Sequence, residues 1–424
     1  MKRFSFHLIL TTIFIGLLII ACESDDSAPG DGTGTIYVAI SGLPVDNDAD
    51  VQVTGPAGYN RTLNSSDSLK DLTNGTYTIR TKIKVYRTNP ISIAYRTEDL
   101  VQTINVAGNI QTANVQFFLM PGSGRIWFGN QTSDPGERII SYRYEKLGAS
   151  GDQAASNTLT GNHASPRGMA YDDFGNLWTV DGAGQIHMFS WERLAATDID
   201  PDQSISVGNP WSITFDADSN LWCTTSSSVL RFSREDIYSG SPAPDVTLTS
   251  SSFDGLKGLA FDNSGNLWLA NENDDNLLMI RESDLSGSGE ITPEILLTCQ
   301  SLPPVVTTLS APYSLAFDRN NNLFVGYFGP NVIVRLDPSE RKETATITPP
   351  VQIKLSTSVL IDHMAFDEQM HLWLPLGEGA FGRVNNSNLS SAGLKVPDIF
   401  ITSNDLKYGS GMAIYVAPEG VPLN

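Results

Sequence analysis

The sequence predicts an all-β chain of more than one folded unit, and three observations carry the prediction. Short alternating runs are punctuated by turn formers, with 36 Gly and 23 Pro among 424 residues. No ten-residue segment between Thr35 and Leu119 keeps the 3.6 period of a helix. Beyond Ser123 one short segment recurs five times at a spacing typical of repeated four-stranded sheets.

The chain opens on Lys2 and Arg3, then an apolar run from Leu8 to Ile20, then Ile19-Ile20-Ala21-Cys22. A basic start, an apolar stretch and a small residue before a cysteine form an export signal. The last four residues resemble a bacterial lipobox, which implies that Cys22 is lipidated and residues 1–21 are removed. A plain transmembrane anchor is the competing reading, because the run is nearly long enough to span a bilayer. Acyl chains contribute about 0.8 kcal/mol per buried CH₂, so two or three of them hold a protein on a membrane without a spanning helix. Glu23, Asp25 and Asp26 resemble the export signals of some Gram-negative surface lipoproteins, which places the expected location in the cell envelope, at the outer membrane. Residues 22–34, rich in Ser, Asp, Gly and Pro, read as a flexible tether.

Seven strands are expected in residues 35–121: Thr35–Ser41, Val51–Thr54, Asn60–Leu63, Asp67–Leu69, Thr76–Ile83, Leu100–Val106 and Thr112–Leu119. Gly55-Pro56, Asn74-Gly75 and Gly108-Asn109 mark turns between them. The pattern predicts a small β-sandwich of immunoglobulin-like or transthyretin-like character. Leu72-Thr73-Asn74-Gly75-Thr76-Tyr77-Thr78-Ile79 resembles a turn and strand of carboxypeptidase-regulatory-type modules, a mark of fold and not of activity.

Residues 123–424 carry the repeat. Arg167-Gly168-Met169-Ala170-Tyr171-Asp172 is followed by Gly175-Asn176-Leu177-Trp178, and equivalent pairs of segments end at Asp216 and Trp222, Asp262 and Trp268, Asp318 and Phe324, and Asp367 and Trp373. Each aspartate stands six residues before its aromatic, and the aspartates recur after 44, 46, 56 and 49 residues. That period fits one propeller blade. In the Asp-x-x-Gly-Asn turn, Gly and Asn tolerate φ > 0 and the carboxylate can accept turn N–H groups. Arg125-Ile126-Trp127-Phe128 is a second strand without a first, and Gly411–Tyr415 a first strand without a second, so the two should meet. The prediction is a six-bladed β-propeller whose C-terminal strand completes the blade begun at Arg125.

The repeat resembles the NHL-repeat family and, more distantly, the gluconolactonase (regucalcin-like) and virginiamycin B lyase families. In such propellers the residue before each first strand faces the channel mouth, which here designates Arg167, Trp211, Lys257, Tyr313, Asp362 and Ser410. Two cations, two aromatics, an acid and a hydroxyl suit a ligand with a flat face and an anionic group: a sugar acid, a peptide end or an acidic glycan. The gluconolactonase resemblance implies a Ca²⁺ or Mg²⁺ at this mouth. Asp362-His363-Met364 resembles one of its ligand motifs, with His in place of Gly, but Asn209 is displaced from a second and Gly124-Arg125 stands where a Glu is required. The lyase resemblance makes His363 a candidate general base, while His163, His187 and His371 read as structural or solvated. Adjacent residues in a strand point to opposite faces, which would separate His363 from Asp362.

Lys+Arg 27 against Asp+Glu 47 gives a net charge of −20, which excludes phosphate-driven nucleic-acid binding. No Gly-x-Ser-x-Gly elbow is present, and Cys223 and Cys299 fall in different blades, too far apart in the repeat to pair. The expected function is a non-catalytic module binding a glycan, peptide or envelope protein, with a metal-dependent lactonase or lyase as the alternative.

Overall fold

In the computed structural model, the described residues run from 32 to 421 except 45–46, 89–90, 132–137, 162–164, 198, 240–241, 307, 358–360 and 420. Cys22, the apolar leader, most of the tether and His163 lie outside them. The chain is built almost wholly of strands, with six short 3₁₀ turns and no longer helix among the described residues. Among the described residues no helix is long and apolar enough to cross a membrane.

The first unit has two sheets. Asp67–Thr73, Thr33–Ser41, Ile110–Leu119, Ile93–Thr97 and Lys84–Tyr86 lie side by side in one, and Asn60–Leu63, Val51–Thr54, Gly75–Arg80 and Val101–Val106 in the other. Val38 and Val115 from the first meet Val53, Tyr77 and Ile79 from the second in one buried cluster. Lys84–Tyr86 and Ile93–Thr97 were not expected as strands. Their alternation runs against the usual sense because Arg96 is buried while Tyr95 is half-buried. The reason is a second neighbour: Arg96 Nη1 donates to the Phe174 carbonyl at 2.8 Å, and its guanidinium lies 4.6 Å over the Trp191 ring. Ser92 Oγ donates to Glu368 at 2.7 Å and Arg87 pairs with the same carboxylate at 2.5 Å. The unit is thus docked on the turns at Phe174 and Glu368.

Six further sheets of four or five strands follow. Sheets one to five begin with Met169–Tyr171, Ser212–Phe215, Leu256–Phe261, Pro312–Phe317 and Ala365–Phe366, each leading antiparallel into its own second strand. A closing sheet orders Asn157–Thr160, Arg138–Arg143, Arg125–Gln131 and Tyr408–Tyr415, so the chain's last strand pairs antiparallel with one from nearly the beginning. Neighbouring first strands come so close that a Cβ on Gly411 would fall 1.9 Å from the Arg167 carbonyl oxygen, and one on Gly168 2.6 Å from Ser212 Cα. Glycine is the residue that allows this approach.

The outer rim holds an arrangement not anticipated. Gly151–Asp152, Gly289–Glu290, Ala345–Ile347 and Gly393–Lys395 leave the loop between third and fourth strands of one sheet and pair, parallel, with the outer strand of the sheet before it. These straps cover edges that would otherwise offer free N–H and C=O groups to other chains.

The repeated turn explains its own sequence. Asp172 Oδ1 accepts from the N–H groups of Phe174 and Asn176 at 2.9 Å each, while Oδ2 accepts from Asn176 Nδ2 at 2.9 Å and Trp178 Nε1 at 2.8 Å. The indole bond recurs from Trp222 to Asp216, Trp268 to Asp262 and Trp373 to Asp367. Asp–x₅–Trp is therefore a hydrogen-bond spacing as well as a packing one, which sequence reasoning missed. Positive φ falls on Gly175 (82°), Ser219 (64°), Gly265 (78°), Asn321 (61°) and Met370 (59°), and not on the Asn that follows. That Asn serves through its side chain, with Asn176 Oδ1 accepting from Trp191 N–H at 3.0 Å. His371 replaces it by accepting from Asn386 N–H at 3.0 Å through Nδ1.

Candidate functional site

Each first strand has two ends, and they differ. The turn aspartates and the docked N-terminal unit occupy one, and the residues preceding the strands occupy the other. There a cavity of about 250 Å³ is lined by Arg167, Trp211, Tyr313, Phe328, Asp362 and Tyr408, with Gln131 and Ser410 completing it. Five of the six rim residues expected from the repeat meet here. The sixth, Lys257, lies behind the wall, with Nζ 3.5 Å from the centroid of the Trp211 ring and 5.1 Å from that of Tyr313.

Trp211 already carries two cations, because the Arg167 guanidinium also sits 4.3 Å over its ring. Trp211 and Tyr313 meet edge to face at 5.4 Å, and Tyr313 stacks on Phe328 at 4.9 Å. Trp211 therefore holds the cations in place, and the aromatic surface left open to a ligand is that of Phe328 and Tyr408, 37% and 45% exposed. Neither was legible in the repeat. Phe328 follows the second strand of sheet four, and Tyr408 opens the closing strand opposite Gln131.

The charges are unequally satisfied. Lys257 pairs with Glu272 at 3.0 Å. Arg167 Nε and Asp362 Oδ1 are both shielded from solvent without a hydrogen-bond partner. Burial pushes the Asp362 carboxyl up to about 7, although Lys257 and Arg167 pull the other way. A carboxyl poised near neutrality at a cavity wall can change protonation when a charged ligand arrives.

Two expectations change in detail. Ser410 is buried, and its hydroxyl donates to the carbonyls of Pro166 and Gly129, so it ties the closing strand to its neighbour. Asp362 and His363 do not alternate, because the regular strand begins only at Ala365 and both residues border the channel. A small cavity of about 30 Å³ lies there, between the first strands. Burial depresses the His363 imidazole to about 4, with the Ser410 backbone opposing, which keeps it neutral at physiological pH. His187 is held by Asp181 at 2.9 Å and Ser204 at 2.8 Å. Cys223 and Cys299 are free and buried. Among the described residues no group of three or more His, Cys, Asp or Glu is gathered closely enough to hold a metal ion.

No protein-family model and no curated protein matches the chain. Solved structures that resemble it include virginiamycin B lyase from Staphylococcus aureus, at 15% identity and a TM-score of 0.41 over 72% of this chain and 88% of that one. A streptogramin B lyase has 13% identity and a TM-score of 0.41 over 82% and 97%. A protein of unknown function from Bacteroides caccae has 8% identity and a TM-score of 0.43 over 65% and 97%.

Proposed function

We propose that the chain is a cell-envelope lipoprotein, anchored through Cys22, whose NHL-like six-bladed β-propeller binds a ligand at the channel mouth without transforming it. The observation that carries this reading is the cavity lined by Arg167 on the Trp211 ring, a carboxyl whose Oδ1 is shielded and unpartnered, and two exposed aromatic rings. A flat ligand lies on Phe328 and Tyr408 while its anionic group meets Arg167. A sugar acid, an acidic glycan or a peptide end has that form. The N-terminal β-sandwich is the spacer. Its docking on the turn end leaves the mouth uncovered by it.

The test is calorimetry of the purified protein with uronic acids, acidic oligosaccharides and short peptides, repeated on Arg167→Ala and Phe328→Ala. At least a tenfold loss of affinity in both variants is expected. The reading fails if the best ligand binds them as it binds the parent.

One observation favours an enzyme instead, namely Asp362 with its pKa near 7 beside the channel. A lactonase or lyase would use it as a base or as a ligand to Ca²⁺ or Mg²⁺, with His363 at its side. That alternative requires turnover of lactones that Asp362→Asn abolishes while the fold is kept.

A further inference from the structure

The largest cavity described is elsewhere, at the turn end of the ring between sheets two and three. It measures about 560 Å³ and is walled by Phe215, Trp222 and Phe261, with the carboxylates of Asp216, Asp218 and Glu282 around it. Its meaning comes from the two sister grooves on either side.

Between sheets one and two, the loop after the third strand of sheet two delivers Tyr238. Its hydroxyl donates to Asp172 Oδ2 at 2.7 Å, and its ring meets Trp178 edge to face at 6.2 Å. Between sheets three and four, the equivalent loop of sheet four delivers Arg341. Its guanidinium stands 3.7 Å from Asp262 Oδ2, 5.2 Å over Trp268 and 4.9 Å over Phe317. In both grooves a planar group carrying donors packs on the aromatic wall beside the turn aspartate, Tyr238 as a hydrogen-bond donor and Arg341 as an ion-pair partner.

Between sheets two and three the corresponding loop brings Leu285 and Ser286. The register fixes the equivalence: Leu221 pairs with Phe232 and Leu267 with Ile280, so Ser286 stands where Tyr238 does and Leu285 where Arg341 does. Leu285 is buried in one apolar cluster with Trp222 and Phe261, but a leucine has no donor to offer Asp216. Among the described residues Asp216 Oδ2 accepts from Asn220 and Trp222 and from no third group. Of the five turn aspartates, Asp172, Asp262, Asp318 and Asp367 are buried and Asp216 alone is not. The cation on this wall, Arg231, is already engaged by Asp245 at 2.5 Å.

We propose that this groove is a binding site for a planar cation, a guanidinium or amidinium, which takes the place that Tyr238 and Arg341 hold in the sister grooves. The ligand lies against Trp222 and Phe261, whose rings meet edge to face at 5.8 Å, and donates to Asp216, with Asp218 and Glu282 supplying the field that draws it in. It is independent of the channel-mouth reading, since the two sites share no residue and lie at opposite ends of the strands.

The experiment uses benzamidine, agmatine and an acetylated, amidated Gly-Arg-Gly peptide, titrated into the full chain and followed by calorimetry and by proton NMR of the indole N–H signals. Millimolar or tighter binding is expected, weakened at least tenfold in Asp216→Asn. Ser286→Tyr and Leu285→Arg each supply the missing filler from the chain itself and should abolish binding while raising the melting temperature. Having two filling variants guards against one that fails to fold. The peptide binding tenfold more tightly than agmatine would assign the cation to a polypeptide, and equal affinities to a free small molecule. Absence of binding at about 10 mM of every probe, a threshold near 3 kcal/mol, overturns the proposal, as does binding that survives both filling variants.

Discussion

The two ends of the first strands obey different rules. At the turn end one solution is repeated five times: an aspartate, buried in all copies but that of Asp216, a turn residue with positive φ, a capping Asn or His, and an aromatic six residues on. At the mouth end the equivalent positions are Arg, Trp, Lys, Tyr, Asp and Ser, and apart from the two cations that share the Trp211 ring they make different contacts. Repetition marks what every sheet needs to stand beside its neighbour. Variety marks what the ring is free to use.

The comparison can be broken in order of expected effect. Removing residues 408–424 takes the innermost strand from the closing sheet, and should leave a chain without a cooperative thermal transition or near-ultraviolet circular dichroism. Asp172→Ala strips the acceptor from two backbone N–H groups, an amide, an indole and a phenol, and should cost about 3–5 kcal/mol in urea denaturation. Asp216→Ala, at the accessible copy of the same turn, should cost about 1–2 kcal/mol. Equal costs would show that the groove fillers add nothing to the turn.

At the mouth the expected changes are smaller and concern pH and binding. The folded state holds the Asp362 proton up to about 7, above the ordinary carboxyl value, so it binds more protons than the unfolded chain in that window. By linkage this contribution favours folding below about pH 4, is lost as pH rises, and is gone above pH 7. Asp362→Asn should therefore match the parent at pH 4 and exceed it by about 1–2 kcal/mol at pH 8, less than the full shift implies because the carboxyl retains an accessible side. A stability difference that does not change between those pH values would refute the assignment. Arg167→Ala should alter stability by no more than about 0.5 kcal/mol, so any affinity it loses belongs to the site.

The all-β class and the pairing of the two ends were legible in the sequence because both rest on local pattern. The period of the Asp and Trp copies located most strand pairs, and an unmatched second strand at Arg125 called for a partner at Gly411. What escaped was nonlocal. The strand Ile93–Thr97 was hidden because Arg96 faces the turn at Phe174, 78 residues away, and not the unit's own core. Phe328 and Tyr408 escaped because they lie outside the repeated segment altogether. The rim itself could be named from position, but not which of its members were spent: Trp211 beneath its cations and Ser410 on the Pro166 carbonyl look no different in sequence from free side chains.

The closing strand also sets a timetable. Asn130 and Lys407, 277 residues apart, are joined by a hydrogen bond beside that pairing. At a synthesis rate of about 5–20 residues per second, Arg125–Gln131 waits on the order of 15–60 s for its partner to be made. Throughout that interval it is an apolar strand with one open edge, long enough for a holding chaperone to bind and let go many times. The arrangement that gives the finished ring no beginning makes its assembly depend on its last few residues.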